Sequence, residues 1–394
     1  MPPRECSLLA AIACLFVLLS TARAQNPPGF KELKIGDPAP AFKLVGVDDK
    51  LLTLDDFKGA KVLAVVFTSN HCPVSHAAEP RLIKLYQEYK DRGLGVVAIN
   101  PNHPDGLRPD ELGYSKFGDS FPEMKLYAKE MGFPFPFLYD GETQSVAMAY
   151  GCLATPHVFL FDHERKLRYK GWIDDCRFPG EEHVKKPDLR NAVAAMIAGQ
   201  PVAVPVTGPI GCSTKWRMKK DEVAKDDKKW AALPVSIELI DAVGVAKLRA
   251  NATSKYRLIN VWSTTCAPCV EEFPGLVSVA RRMGMRAFEL VTLSTDMPAD
   301  KEKAERFLRK YHAGLPEHLK AGLAKEGRAT NNYLITEPSM DVLIKALDPE
   351  WSGPQPHTLL LAPGGKLVFR HTGKIGESEL IDKVIAALTP FYQP

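Results

Sequence analysis

The sequence predicts an α/β fold that is built twice along a chain of 394 residues. Apolar runs typical of buried strands occur at 61–68 and 258–262, and a helical pattern follows each run. Each junction between strand and helix carries a cysteine, Cys72 or Cys266, with a proline eight residues later. The chain is also longer than one ordinary domain of about 100–200 residues, so two domains are expected.

In the N-terminal half, turn residues and apolar runs predict the elements in order. A capping pattern, Ser120-x-x-Glu123, marks the start of one helix. The predicted strands are 44–47, 51–54, 61–68, 94–99, 157–162 and 167–173, and the predicted helices follow Cys72, Ser120, Ser145 and Asp188. A polar loop is expected at 101–118.

The C-terminal half repeats this order as βαβ followed by ββα. Strands are predicted at 237–240, 258–262, 287–294, 358–362 and 366–371, and helices at 241–249, after Cys269, and at 299–311, 320–328, 339–347 and 377–388. Between the halves, 215–230 mixes both charge signs without an apolar face, which predicts a solvated linker or a short helix.

Composition and charge limit the function. The formal net charge of +4 is small, so a nucleic acid is not expected as a partner. Residues 1–24 predict a secretory signal, because Arg4 precedes an apolar segment at 8–19 and the small-residue site Ala22-Arg23-Ala24 follows it. The apolar segment is short for a membrane span, although an uncleaved anchor is the alternative. We therefore expect export and no stable membrane insertion after cleavage.

The motif Cys266-Ala267-Pro268-Cys269 predicts thiol chemistry at the start of a helix. Free amides and the positive end of the helix dipole favour a thiolate there, so Cys266 is the predicted nucleophile. Cys269, one turn later, can attack its sulfur and release a mixed disulfide. Half of a zinc site or a structural disulfide is the alternative, but no second C-x-x-C or C-x-x-H pair occurs in the chain.

The same junction in the N-terminal half has lost its second cysteine. It reads Cys72-Pro73-Val74-Ser75, with Ser75 in the place of the resolving thiol. Thr155-Pro156-His157 and Gln355-Pro356-His357 also match, and each precedes a predicted hairpin. These paired features indicate an internal repeat of one fold.

On these motifs both halves resemble the thioredoxin superfamily. Residues 31–217 resemble its redoxin branch, of the alkyl hydroperoxide reductase/thiol-specific antioxidant type, including periplasmic members that end in the pattern seen here from Pro209 to Trp216. Residues 232–394 resemble envelope thiol-disulfide oxidoreductases of disulfide reduction and cytochrome c maturation, with 218–231 as a charged linker. The resemblance implies a central mixed sheet flanked by helices in each half. It also implies cis peptide bonds before Pro156 and Pro356, and it implies no cofactor.

The resemblance implies a thiol-disulfide oxidoreductase exported to a bacterial periplasm or cell envelope. Cys266 and Cys269 would exchange disulfides, and Cys72 would serve as a single-cysteine site. The expected partners are protein or small-molecule disulfides and thiols, and an upstream membrane or periplasmic reductase. Two alternatives stay open: a thiol peroxidase recycled by the C-terminal half, and an N-terminal half that only binds. The peroxidase pattern is incomplete, because Ser69 supplies its hydroxyl while Val65 replaces its proline.

The remaining cysteines offer candidate redox partners for Cys72, namely Cys152 and Cys212. In the implied fold the cis-proline loop packs against the start of the active-site helix, which would bring Cys152 near Cys72. The alternatives are Cys152 as a small buried residue and a structural bridge between Cys176 and Cys212.

Several neighbours are assigned supporting roles. His71 is expected to affect the pKa of the Cys72 thiol. With His76 and His157 it could also bind a soft metal, but no metal is expected because a second nearby cysteine is missing. Glu272 is expected either to exchange protons with Cys269 or to face solvent.

Overall fold

The computed structural model describes residues 26–337 and 339–388, so the predicted signal at 1–24 lies outside the described residues. The strands of the N-terminal half are β1 (Lys43–Gly46), β2 (Leu51–Thr53), β3 (Val62–Phe67), β4 (Leu94–Asn100), β5 (Phe137–Tyr139), β6 (Ala154–Thr155), β7 (His157–Phe161), β8 (Leu167–Gly171) and β9 (Cys212–Ser213). Its helices are α1 (Pro73–Tyr89), α2 (Phe121–Met131), α3 (Ser145–Tyr150) and α4 (Asp188–Ile197), and α5 (Lys220–Ala231) follows them.

Seven of these strands form one mixed sheet in the order β2-β1-β5-β4-β3-β7-β8. Strand β3 lies near its centre, parallel to β4 and antiparallel to β7. All six residues of β3 are buried, because their side chains alternate between two cores. Val62, Ala64 and Val66 face one core, and Leu63, Val65 and Phe67 face the other. The continuous apolar run is therefore a central strand, as predicted.

The C-terminal half contains a second mixed sheet of six strands, ordered β10-β13-β12-β11-β14-β15. Strand β11 is parallel to β12 and antiparallel to β14, as β3 is to β4 and β7. The elements are β10 (Glu238–Ile240), α6 (Ala242–Ala250), β11 (Tyr256–Trp262), α7 (Ala267–Arg282), β12 (Phe288–Ser294), α8 (Lys301–Lys310), α9 (Glu317–Lys325), β13 (Asn332–Ile335), α10 (Met340–Leu347), β14 (His357–Leu361), β15 (Leu367–Thr372) and α11 (Glu377–Leu388).

The predicted α/β class, with mixed sheets flanked by helices, is confirmed. Strands β5 and β13, of three and four residues, were not predicted. The charged segment between the halves forms helix α5, which contacts helix α7 of the C-terminal half. Its Asp226 and Asp227 bind Arg281 on α7, and the guanidinium of Arg281 lies over the ring of Trp230.

The two halves meet at the C-terminal end of α7. Arg282 Nε donates to the carbonyl of Leu112 at 3.0 Å, and its Nη2 donates to the carbonyl of Ser115. Arg286 Nη1 donates to the carbonyl of Gly113 at 2.7 Å. Helix α7 has 16 residues and is about 24 Å long, so Cys266 lies a helix length away from this contact.

Within the described ranges, every helix is too short or too polar to cross a membrane.

Candidate redox sites

The dithiol site lies where β11 ends and α7 begins. Cys266 occupies the N-cap position, the following turn contains Pro268, and a disulfide joins Cys266 to Cys269. Cys266 is partly exposed, whereas only 1% of the surface of Cys269 is accessible. The amide of Cys269 donates to the sulfur of Cys266 at 3.3 Å. Cys266 is therefore the sulfur that a substrate can reach, as the sequence predicts.

Glu272 is buried beneath this pair, so the expectation that it faces solvent is wrong. Its carboxylate accepts hydrogen bonds of 2.9 Å from Asn260 Nδ2 and from the amide of Ile375. Burial raises the pKa of Glu272, although both hydrogen bonds oppose the rise. A buried carboxyl group of this kind can exchange a proton close to Cys269.

Polar contacts hold the loop that leads into the dithiol site. Asp296 accepts from the amide and the hydroxyl of Thr264, at 3.0 and 2.6 Å respectively. The peptide bond between Gln355 and Pro356 is cis, as the resemblance implies. Trp262 is buried and stacks on Phe307, so it packs in the core.

The single-cysteine site lies at the equivalent junction of β3 and α1. Cys72 is the N-cap residue of α1 and is completely buried. Its thiol donates to the carbonyl of Thr155 at 3.1 Å, next to the cis bond that precedes Pro156. Burial acts to raise the pKa of Cys72, but hydrogen bonding to Cys212, the nearby His71 ring and the amide of Ser75 outweigh it. The pKa of Cys72 is therefore held well below its usual value.

Cys212 reaches Cys72 through a two-stranded ribbon made of β6 and β9. In this antiparallel pair Thr155 lies opposite Cys212, and the amide of Cys212 donates to the sulfur of Cys72 at 3.4 Å. The close approach requires glycine at position 211, because a Cβ there would lie 1.9 Å from the carbonyl oxygen of Thr155. The hydrogen bond to Cys72 is the largest cause that raises the pKa of Cys212.

The structure joins neither Cys152 to Cys72 nor Cys176 to Cys212, so both pairings stay predictions. All four free cysteines of the described ranges are unpaired. Cys152 is buried in the core that also contains Leu63, Val65 and Phe67; its thiol donates to the carbonyl of Ala154, and burial raises its pKa to about 12. Cys176 lies in the 174–180 loop and donates to the carbonyl of Phe178. The ribbon brings Cys212 to Cys72, whereas Cys152 contacts Thr214, the residue after β9.

A buried histidine–aspartate contact lies beside Cys72. His71 Nδ1 is 2.5 Å from Asp119 Oδ2, and Asp119 also accepts from the amide of Asn70 and the side chains of Asn100 and Asn102. Burial alone would raise the pKa of Asp119, but His71 and these donors lower it. Sequence reasoning did not find Asp119, which lies 47 residues after Cys72, between the predicted loop at 101–118 and the predicted helix start at Ser120.

The other supporting side chains take separate partners. Ser69 Oγ lies 2.8 Å from Thr155 Oγ1, and His76 Nε2 lies 2.6 Å from the carbonyl of Asn70. His157 is buried, which lowers its pKa to about 3. Ser75 Oγ and the Nε2 atom of His71 are buried and have no hydrogen-bond partner among the described residues. The described residues contain no group of three or more His, Cys, Asp or Glu side chains that could hold a metal ion.

Glu79 is also a buried carboxyl group, one turn beyond Ser75 on α1. It accepts hydrogen bonds from the hydroxyl groups of Thr68 and Tyr127. Burial raises the pKa of Glu79 to about 7.

The fold and the cysteines at the starts of α1 and α7 define an oxidoreductase of the thioredoxin superfamily. Residues 35–170 match the AhpC/TSA family. The chain is related to the thiol-disulfide oxidoreductase ResA of Bacillus thuringiensis, with 24% identity over 156 residues, 40% of this chain and 80% of the relative. It is also related to the thiol:disulfide interchange protein DsbE of Yersinia pestis, with 26% identity over 166 residues, 41% of this chain and 77% of the relative.

Two solved structures are similar to part of the chain. A hypothetical protein from Sinorhizobium meliloti has 37% identity and a TM-score of 0.41, covering 48% of this chain and 97% of its own. An uncharacterized conserved protein from Geobacillus kaustophilus has 37% identity and a TM-score of 0.42, covering 46% of this chain and 92% of its own.

Proposed function

We propose that the protein is an exported thiol-disulfide oxidoreductase whose dithiol site is formed by Cys266 and Cys269. The observation that carries the proposal is the unequal exposure of the two sulfurs at the start of α7, with Cys266 accessible and Cys269 buried. Relatives named for thiol-disulfide exchange support the same class of activity.

In the proposed cycle the Cys266 thiolate attacks one sulfur of a substrate disulfide. The substrate S–S bond breaks, the other sulfur leaves as a thiolate that takes up a proton, and a mixed disulfide forms. The Cys269 thiolate then attacks the Cys266 sulfur, and the second substrate sulfur leaves as a thiolate that takes up a proton. The pair loses two electrons and becomes the Cys266–Cys269 disulfide, while the substrate gains them as a dithiol. Glu272 is placed to accept the proton of Cys269 in the second step.

Insulin reduction tests this proposal. The purified chain, with dithiothreitol as reductant, should accelerate insulin precipitation, and Cys266→Ser should abolish the acceleration. Cys176→Ser is the matched control, because Cys176 is buried in the other half. Unchanged activity in the Cys266→Ser variant would refute the dithiol assignment.

The export part of the proposal depends on the sequence of residues 1–24. A fusion of this segment to a reporter that is active only outside the cytosol should produce signal in a bacterial host. The mature chain should begin at Gln25, which N-terminal sequencing would read directly. Full-length chain retained in the cytosol would contradict export.

Peroxide reduction at Cys72 is a second candidate, favoured by the lowered pKa of this thiol. Its complete burial acts against access by an oxidant. Peroxide consumption by a full chain carrying Cys266→Ser and Cys269→Ser isolates this activity, and Cys72→Ser should remove it. A rate equal to that of the Cys72→Ser chain would exclude the candidate.

A further inference from the structure

We infer that Cys72 and Cys212 form a second redox couple, which external thiols enter at the sulfur of Cys212. This inference is independent of the proposed function, because it requires neither Cys266 nor Cys269. The residue that replaces the lost resolving thiol comes from strand β9, 140 residues after Cys72.

Backbone geometry brings the two residues together. The Cys72 thiol donates to the carbonyl of Thr155, and Thr155 is the register partner of Cys212 in the β6–β9 ribbon. The amide of Cys212 donates in turn to the Cys72 sulfur at 3.4 Å. Both strands of the ribbon are therefore fixed against the same sulfur atom, and the absence of a side chain at Gly211 permits their approach.

The two sulfurs differ in access. Cys72 has no exposed surface, whereas Cys212 is partly exposed and lies between the exposed residues Gly211 and Ser213. An incoming thiolate can therefore reach only the Cys212 sulfur of the oxidised couple. This order is the reverse of the dithiol site, where the N-cap cysteine is the accessible one.

The charges around the couple also favour attack on the Cys212 sulfur. A disulfide breaks faster when the departing thiol has a low pKa, and Cys72 is that thiol. Attack on Cys212 thus expels Cys72 as a thiolate, stabilised by His71 and by the amides of Ser75 and Cys212. Stabilisation of the reduced form makes a couple oxidising, so this site should accept electrons from thiols.

External thiols are the only reductant that the exchange requires. A first thiolate bonds to Cys212 as the Cys72–Cys212 bond breaks, and Cys72 leaves with the electron pair. A second thiolate attacks the sulfur of the first, so that Cys212 leaves and takes up a proton. Two external thiols become one disulfide, and the couple gains two electrons. Oxidation of the couple by a small disulfide follows the same steps in reverse.

Peptide mapping of a full chain carrying Cys266→Ser and Cys269→Ser tests the couple. After equilibration with glutathione disulfide and alkylation of free thiols, we expect a Cys72–Cys212 disulfide. Cys152→Ser is the control, and it should leave the disulfide in place. A Cys72–Cys152 link, or alkylation of both Cys72 and Cys212, would overturn the inference.

The point of entry is tested by adding single variants to the same chain. With Cys72→Ser, glutathione should accumulate on Cys212. With Cys212→Ser, the glutathione adduct on Cys72 should form more slowly, by about tenfold at least. Faster modification of Cys72 than of Cys212 would contradict entry at Cys212. Because mapping of the chain with Cys72 and Cys212 intact needs neither of these variants, a misfolded variant leaves the first test valid.

Discussion

Glu272 accepts a hydrogen bond from Asn260 inside the C-terminal half, and the two residues link the active-site helix α7 to the central strand β11. The carboxyl group lies one turn beyond Cys269 and its pKa is raised by burial. It is therefore the group best placed to take a proton from the buried sulfur.

Replacement of Glu272 by glutamine should slow disulfide reduction by about a hundredfold, because general base assistance to Cys269 is lost. The pH profile of kcat/KM for insulin reduction should also lose one ionisation. Glu271→Gln is the matched control, since Glu271 is exposed and pairs with Lys374. Equal effects of the two variants would argue against a proton-transfer role for Glu272.

Glu79 should make the N-terminal half less stable as the pH rises from about 4.5 to about 7. The folded pKa of about 7 exceeds the ordinary value of 4.5, so the folded state binds the proton more tightly. This contribution is complete below the ordinary value and is lost as the pH rises through the folded value.

The loss corresponds to about 3 kcal/mol in the free energy of unfolding. Urea unfolding across this pH range should show a weaker decline for Glu79→Gln than for the unsubstituted chain. Glu88→Gln, on the exposed face of the same helix, should leave the decline unchanged. A parallel pH dependence in all three chains would contradict the raised pKa of Glu79.

The substitution Asp119→Asn should raise the pKa of the Cys72 thiol. The Asp119 carboxylate contacts Nδ1 of His71, and the His71 ring in turn acts electrostatically to lower the pKa of Cys72. Thiolate absorbance near 240 nm, measured against pH in the Cys266→Ser and Cys269→Ser background, reports this pKa. Asp105→Asn provides a control at an exposed position of the predicted 101–118 loop, and an unchanged titration with Asp119→Asn would remove His71 and Asp119 from the site.

Gly211→Ala should prevent close pairing of β9 with β6. The new Cβ would lie 1.9 Å from the carbonyl oxygen of Thr155, so the strand that carries Cys212 must move away. We expect loss of the Cys72–Cys212 disulfide in peptide maps. Gly208→Ala, where no atom lies within 4 Å, should preserve it. Formation of the disulfide in both variants would show that the ribbon is not what positions Cys212.

Arg282→Ala should speed electron transfer from the dithiol site to Cys72 and Cys212. The hydrogen bonds of Arg282 to Leu112 and Ser115 hold the halves together at the end of α7 remote from Cys266. Cys266 lies about 24 Å along α7 from this contact, so we expect release of the contact to let the two couples approach each other more often. Rapid-quench mapping of a chain oxidised only at Cys72 and Cys212 would measure the transfer, with Arg306→Ala as the control at an exposed position of α8. A slower transfer with Arg282→Ala would contradict this role of the contact.

Local sequence patterns were sufficient for the fold and for the two helix starts. The apolar run of β3 and the C-x-x-C motif each carry their information within about ten neighbouring residues, and both were found in the predicted elements. The capping pattern at Ser120 likewise marks the start of α2, where Ser120 Oγ accepts the amide of Glu123.

Contacts between distant segments were beyond such patterns. Cys152 is closer in sequence to the cis-proline than Cys212 is, yet the pairing of β6 with β9 brings the more distant residue to Cys72. Asp119 follows a polar loop and has no local signature of a partner for His71. The burial of Glu272 depends on the amide of Ile375, more than a hundred residues away.

Because the β6–β9 ribbon brings Cys212 to Cys72, the oxidation state of these two residues would change the stability of the N-terminal half. A bond from Cys72 to Cys212 closes a covalent ring of about 140 residues, which restricts the unfolded chain by about 5 kcal/mol in a loop-entropy model. The ring includes four of the seven strands of the first sheet, β4, β5, β7 and β8, and ends before helix α5. Oxidation would therefore stabilise the N-terminal half against heat and proteolysis. In the reduced form no covalent bond would hold strand β9 against β6.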